Sequence, residues 1–225
     1  MKKSLIAVLV SSIFISAPIT SYSLDLSLDD VPGLGKDKKE GGGDVDPKAL
    51  ADQQSAVVQS LNESLRNLTK SQVQFAKAIG LDEQAAVAEK TSESLAKGDL
   101  TGKDDIKKAV KSTTSVQNEL NKKLAEGVKL DAEAKVNFAK GIPNYIKGSL
   151  AMIATGKNAK EAGESISKTK DLTVLTKLGT LIYVGTEAPS LISLFAGSTS
   201  TLSKFMTSNE IDTSELDKAA ESMGD

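Results

Sequence analysis

The residue types that carry most enzymatic and metal chemistry are missing from this chain. It contains no histidine and no cysteine. Their absence removes the usual general base, the thiol nucleophile and the nitrogen and sulfur ligands of zinc, haem and iron–sulfur centres. The reactions that remain open need a pair of carboxylates or a serine activated by a lysine. We therefore expect a protein that is not an enzyme and that has no cofactor and no metal site.

Two short motifs imitate catalytic or phosphate-binding sequences. The segments 165–168 and 167–170 match the pattern S-x-x-K, but the partner motifs of the penicillin-binding enzymes are missing. The stretch AMIATGKN at 151–158 imitates a phosphate-binding loop, yet Ala151 replaces its first glycine and Asn158 its last serine or threonine. Neither motif predicts catalysis.

Glu187 is the polar residue whose position raises a functional question. It is the single charged residue in the stretch LGTLIYVGTEAPSLISLFAG at 178–197. A carboxylate between two apolar helices must be exposed, capped, paired or neutral. It can lie in the first turn of a helix, where the helix dipole favours an acid. Alternatively it faces a ligand pocket together with Tyr145 or Tyr183, as in helical bundles that bind ligands between their helices.

The beginning of the chain indicates export. Two lysines precede an apolar stretch from Leu5 to Ile15, and small residues follow at Ser21 and Ser23. This is the pattern of a secretory signal peptide, which we place at residues 1–23, with the mature chain starting at Leu24. We expect a periplasmic or secreted protein, with the periplasm favoured.

The charge balance argues against a nucleic-acid partner. The formal net charge is −2, and loss of the two lysines at the start of the signal peptide makes it −4. Arg66 is the only arginine in the chain. A nucleic-acid-binding protein needs a clustered basic face, and phosphate recognition depends heavily on the guanidinium group.

The apolar residues of the N-terminal half predict long helices. Pro47 suits a first turn, and Gly80 can end the helix that begins there, after about 34 residues. Second and third helices are expected at about 82–97 and about 103–126. Apolar residues recur at helical intervals in the first and third helices: Leu50, Val57, Leu61, Leu65, Leu68, Phe75 and Ile79, then Ile106, Val110, Val116, Leu120 and Leu124.

The C-terminal half is punctuated by prolines and glycines. Asp131 is expected to cap a helix that ends or kinks at Lys140–Pro143. Asp171 is expected to cap a helix that is apolar nearly all round, and Ile182 is therefore expected to be buried. We expect Gly185–Pro189 to break the apolar stretch into two helices, each too short to span a bilayer.

These observations predict a single all-α domain at 47–208, a bundle of about five to seven helices with long N-terminal helices and kinked apolar C-terminal helices. A flexible acidic and glycine-rich leader at 24–46 precedes the domain, and an acidic flexible tail at 209–225 follows it. The leader lacks the alternating spacing of a calcium loop.

The function expected from the sequence is binding. We expect an exported, non-enzymatic protein of the cell envelope that binds a partner protein or an apolar small molecule, and no nucleic acid. The alternative is a membrane-active protein that inserts an apolar helical hairpin, residues 172–196, and so contacts the membrane conditionally.

Overall fold

The computed structural model describes residues 47–98, 102–167 and 178–224. These ranges are helical and contain no strand, which confirms the all-α bundle. The predicted signal peptide, the leader and Asp171 lie outside the described residues. The helices are α1 Pro47–Ala78, α2 Asp82–Ala96, α3 Lys103–Ala125, α4 Ala132–Ala139, α5 Ile142–Ser167, α6 Gly179–Ser208 and α7 Ser214–Gly224.

The first helix is the centre of the bundle. It packs against α2, α3, α4, α5 and α6. The apolar residues that the helical period predicts for α1 and α3 are each at most 6% exposed. Burial of these stripes is the main favourable term for such a fold, because an isolated helix is only marginally stable in water.

Helix ends follow local chemistry. Gly80 ends α1 with a φ of 73°, in the left-handed region that glycine adopts without a steric penalty. The amide of Leu81 then donates to the carbonyl oxygen of Ala76 at 2.8 Å, which closes the turn. At the start of α4, the amide of Ala134 donates to Asp131 Oδ1 at 2.8 Å, which confirms the predicted cap.

Helices α1 and α5 approach each other through small residues. Ser64 Oγ donates to the carbonyl oxygen of Gly148 at 2.7 Å. A Cβ atom on Gly148 would lie 2.7 Å from Leu68 Cγ and 2.8 Å from its backbone nitrogen. The two backbones can therefore lie this close only with a glycine at 148.

The predicted break at Lys140–Pro143 is confirmed, since α4 ends at Ala139 and α5 begins at Ile142.

The predicted break at Gly185–Pro189 is wrong, because α6 continues through it. Pro189 cannot donate to the carbonyl oxygen of Gly185, but both residues have solvent access, so water can hydrate that oxygen. One buried stripe continues across the predicted break, and splitting the helix would interrupt it. The stripe is Leu181, Val184, Ala188, Leu191 and Phe195, each at most 4% exposed.

The expected burial of α6 on all sides is also wrong. Ile182 is 47% exposed, whereas its neighbour Leu181 is 1% exposed. Residues one position apart on a helix point about 100° apart, so adjacent apolar residues can have opposite environments. The helix is buried on one side and open on the other.

The tail expected to fray contains ordered structure. Asn209 is 2% exposed, and its Nδ2 donates to the carbonyl oxygen of Val128 while its Oδ1 accepts from the amide of Leu130. These bonds attach the α3–α4 connection to the end of α6. Helix α7 then packs on α5 and α6, with Leu216 fully buried. The folded region therefore extends past the predicted boundary at 208.

Candidate interaction face

The first residue of the predicted ligand pocket, Tyr145, lies inside the core. It is fully buried on α5, and its hydroxyl donates to the carbonyl oxygen of Phe195 at 2.6 Å. The hydroxyl is also 3.1 Å from Thr199 Oγ1. The ring centroids of Phe75 and Phe195 lie 6.0 and 6.3 Å from that of Tyr145. Its phenol therefore joins two helices and lines neither of the two clefts described below.

The other two residues of the predicted pocket, Tyr183 and Glu187, lie one turn apart on α6 and are partly exposed. Partial burial raises the pKa of Tyr183, and the negative charge of Glu187 raises it further. Glu187 lies well inside α6, not in a first turn. Thr186 Oγ1 donates to the carbonyl oxygen of Ile182 at 2.9 Å, so Thr186 is not an N-cap either. The structure brings these two together but leaves Tyr145 elsewhere.

Two clefts lie along α1, and neither is lined by the predicted pocket residues. Both are open to solvent and mainly polar, and they share Lys70. The first encloses about 430 Å³ and is lined by Asn62, Glu63, Arg66, Asn67, Lys70 and Leu95. The second encloses about 350 Å³ and is lined by Lys70, Val73, Gln74, Glu89, Ser92, Glu93 and Asn144.

The motif that imitates a phosphate-binding loop is ordinary helix, whereas the two S-x-x-K motifs extend to Lys168 and Lys170, which lie outside the described residues. The stretch at 151–158 lies within α5, and Thr155 Oγ1 donates to the carbonyl oxygen of Ala151 at 2.8 Å. A continuous helix uses its amides internally, so they cannot enclose a phosphate. In the part of the chain that the structure describes, no group of three or more acidic residues is arranged to hold a metal ion.

A buried polar chain, which the sequence analysis did not identify, crosses the bundle from α1 to α6. Gln72 Nε2 donates to Gln117 Oε1 at 3.1 Å, and Gln117 Nε2 donates to Asn121 Oδ1 at 3.0 Å. Asn121 Nδ2 then donates to Ser198 Oγ at 2.8 Å. Buried amides at helical spacing within an apolar stripe are the signal that could have revealed it. This chain links three helices, and its members Gln72, Gln117 and Ser198 are fully buried.

The open side of α6 is unusual because its exposed residues are uncharged. We call this surface the α6 outer face. Its residues recur every three or four positions and therefore form one continuous strip, about 27 Å long at 1.5 Å per residue. From 179 to 203 the helix has a single charged residue, Glu187. The exposed members of the face are Ile182, Thr186, Pro189, Ser190, Ser193, Ala196, Gly197 and Ser200.

The outer side of α3 gives the contrast expected of a helix in contact with water. Its exposed residues are largely charged and of both signs. The charge on α3 shows that the α6 outer face is a local property and not a feature of the whole surface. The exposed or partly exposed charged residues on α3 are Lys103, Asp104, Asp105, Lys107, Lys108, Lys111, Glu119, Lys122 and Lys123.

No helix among residues 47–98, 102–167 and 178–224 is long and apolar enough to cross a bilayer. Comparison of the chain with protein-family models, with curated proteins and with solved structures finds no match. The candidate site is therefore defined by its geometry: an uncharged, small-residue helix face on a bundle whose other outer helices are charged.

Proposed function

We propose that this chain is an exported, non-enzymatic helical protein of the cell envelope that binds a partner protein through the α6 outer face. The observation that carries the proposal is the lack of charge along that face. Charged residues are depleted at the cores of protein interfaces, because removing a charge from water is costly.

The chemistry of the face favours a protein partner. Gly197, Ala196 and Ser193 lie together on it and have small side chains. Small side chains let a second backbone approach closely, as Gly148 does between α1 and α5. Serine and threonine hydroxyls can form hydrogen bonds either to a carbonyl oxygen of their own helix or to the partner. Burying them at an interface therefore costs little free energy.

An apolar small molecule fits the geometry less well. Small-molecule sites are concave and mostly apolar, and they bury most of the ligand surface. The α6 outer face is convex, and the two clefts along α1 are open and polar. Tyr145, the deepest of the three predicted pocket residues, has its hydroxyl committed to Phe195.

The alternative of a membrane-inserting hairpin has less support than a protein partner. It required a helical hairpin within 172–196, but residues 179–196 are one continuous stretch of α6, and 172–177 lie outside the described residues. Helices that lie on membranes combine bulky apolar residues with lysines and arginines. The α6 outer face has Ile182 as its one large aliphatic residue and no basic residue before Lys204.

Site-specific photo-crosslinking in cells of the source organism tests the proposal. A photoreactive phenylalanine analogue at Ser193 should give a discrete protein adduct, identified by mass spectrometry. The same analogue at Lys111, exposed on α3, is the matched control and should give none. Adding Ala196→Lys, also exposed, should abolish the Ser193 adduct, because it places a charge in the proposed interface.

Three results would contradict the proposal. They are equal adducts from Ser193 and Lys111, an adduct that survives Ala196→Lys, and no adduct at all. Flotation of the purified protein with liposomes tests the alternative: co-flotation that Ala196→Lys abolishes would favour a membrane surface over a protein partner.

A further inference from the structure

The chain's only arginine lies in the larger of the two clefts, between α1 and α2. Arg66 and Lys70 are four positions apart on α1, and both line this cleft. Residues at this spacing lie on the same side of a helix, one turn apart. Both side chains are exposed, so each can reorient toward a ligand. Two positively charged side chains therefore lie at the same cleft.

Among the described residues, neither cation is paired with a carboxylate. Within the described residues, no carboxylate oxygen lies within 4.0 Å of the charged nitrogens of Arg66 or Lys70. The ion pairs seen there involve other lysines: Lys77, Lys108, Lys123 and Lys135. The first cleft has one acidic residue, Glu63, so the formal charge of its lining is +1.

The remaining lining fits a small organic anion. Asn67 adds an amide that can donate or accept, and Leu95, which is 6% exposed, supplies an apolar wall from α2. The cleft has a volume of about 430 Å³ and is open to solvent, so a small anion can enter it. The adjoining cleft carries Glu89 and Glu93, which would repel a long polyanion.

We propose that this cleft binds a small organic carboxylate. The planar guanidinium of Arg66 matches the two oxygens of a carboxylate with two parallel hydrogen bonds, and Lys70 adds a second positive charge. A carboxylate carries one negative charge, which the net +1 of the lining balances. A phosphate monoester carries between one and two negative charges. Its additional charge would be repelled by Glu63. This site is separate from the α6 outer face and does not depend on it.

Titration of the ¹⁵N-labelled protein with N-acetylglycine at low ionic strength tests the site. We expect saturable shifts of the amides of residues 62–70 and of Leu95, with a Kd of about 1 mM, typical of a solvent-exposed charged contact. Arg66→Gln should weaken binding about tenfold, and Arg66→Lys less, because lysine keeps the charge but loses the paired geometry. Lys107→Gln, at an exposed position on α3 outside both clefts, is the matched control and should bind normally.

Two reference compounds distinguish a carboxylate site from a site for uncharged molecules or for phosphate. N-acetylglycinamide, which lacks the negative charge, should give no saturable shift, and inorganic phosphate should bind more weakly than N-acetylglycine. Shifts that rise linearly without saturation, or an unchanged Kd in Arg66→Gln, would overturn the site. Tighter binding of phosphate would overturn its assignment to carboxylates. Arg66 is exposed, and thermal melts of the variants will confirm that they fold.

Discussion

The phenolic oxygen of Tyr145 lies 2.6 Å from the carbonyl oxygen of Phe195, fifty positions further along the chain. This hydrogen bond joins α5 to α6 inside the core. Because Tyr145 is fully buried, water cannot replace a lost partner. The bond therefore contributes to stability and makes the phenol a sensitive reporter of the bundle.

Tyr145→Phe should lower the free energy of unfolding by about 1–2 kcal/mol, because it removes a buried donor and leaves the ring in place. For a chain of this size that corresponds to a fall in Tm of about 2–8 °C. Tyr183→Phe is the matched control, since Tyr183 is partly exposed, and should cost under about 0.5 kcal/mol. Thermal melts followed by circular dichroism check both, and equal Tm values for the two variants would contradict the assignment.

Alkaline pH should destabilise the fold through the same phenol. Burial raises the pKa of Tyr145 to about 12, and its hydrogen bond to Thr199 opposes that rise. The unfolded chain releases this proton near pH 10, so between about pH 10 and 12 the folded state binds more protons. Stability from this group is therefore complete below about pH 10 and falls by about 1.4 kcal/mol per unit above it.

Urea unfolding of the wild type and of Tyr145→Phe at pH 9, 10 and 11 measures this effect. The stability difference between the two proteins should be constant up to about pH 10 and shrink above it, because the phenylalanine variant lacks the titrating group. A difference that stays constant to pH 11 would show that the phenol is hydrated.

Two glycines on α5 should respond oppositely to alanine. Gly148→Ala places a Cβ 2.8 Å from the backbone nitrogen of Leu68, which must move, so we expect a loss of about 1–3 kcal/mol. Gly163→Ala meets no atom within 4 Å and should gain up to about 1 kcal/mol from better helix propensity. Urea denaturation measures both. A stabilised Gly148→Ala protein would mean that α1 and α5 lie further apart.

Leu181 and Ile182 form a second matched pair, adjacent in sequence but opposite in burial. Leu181→Asp puts a charge into the core and should cost several kcal/mol or prevent folding. Ile182→Asp lies at an exposed position and should cost under about 1 kcal/mol. Soluble yield and melting temperature compare them, and comparable losses in both would place Ile182 in the core.

Export with cleavage of the signal peptide should give a mature protein of one defined mass. Expression of the full sequence in a Gram-negative host should yield a periplasmic protein that begins at Leu24, because Ser21 and Ser23 precede the expected cleavage point. Intact-mass measurement of the periplasmic fraction checks this. A chain that retains Met1, or one found only in the cytoplasm, would refute the assignment.

The N-terminal half of the fold was predictable from sequence because its signals are local. The apolar stripe of α1 and the left-handed Gly80 each depend on residues within a few positions of one another, as does the Asp131 cap in the C-terminal half. Helix boundaries in α1, α2 and α3 were therefore predicted within a few residues.

The errors arose where packing overrides local signals. Gly185 and Pro189 are strong helix breakers by themselves, but the buried stripe from Leu181 to Phe195 needs a single helix. The tail was judged by its acidic composition, whereas the side-chain bonds of Asn209 to the α3–α4 connection hold its start in place. Such contacts between distant segments have no local sequence signature.

The candidate sites were less predictable than the fold. The α6 outer face could have been found from the run of uncharged residues opposite its buried stripe, had α6 been predicted as one helix. Arg66 was noticed for being the only arginine, but the cleft that it lines exists only because α2 packs beside α1. A cleft between two helices depends on their packing, which residue types alone do not specify.

The central position of α1 also constrains the order of events during synthesis. Its partners on α5 are made late: Ser64 bonds to Gly148, 84 positions later, and Ser60 to Thr155, 95 positions later. When α1 leaves the ribosome, the helix that covers its inner side has not yet been translated. Closing such long loops is slow compared with forming helices. A chain that stops before residue 155 would therefore leave that inner side uncovered, so the bundle can close only after α5 has been made.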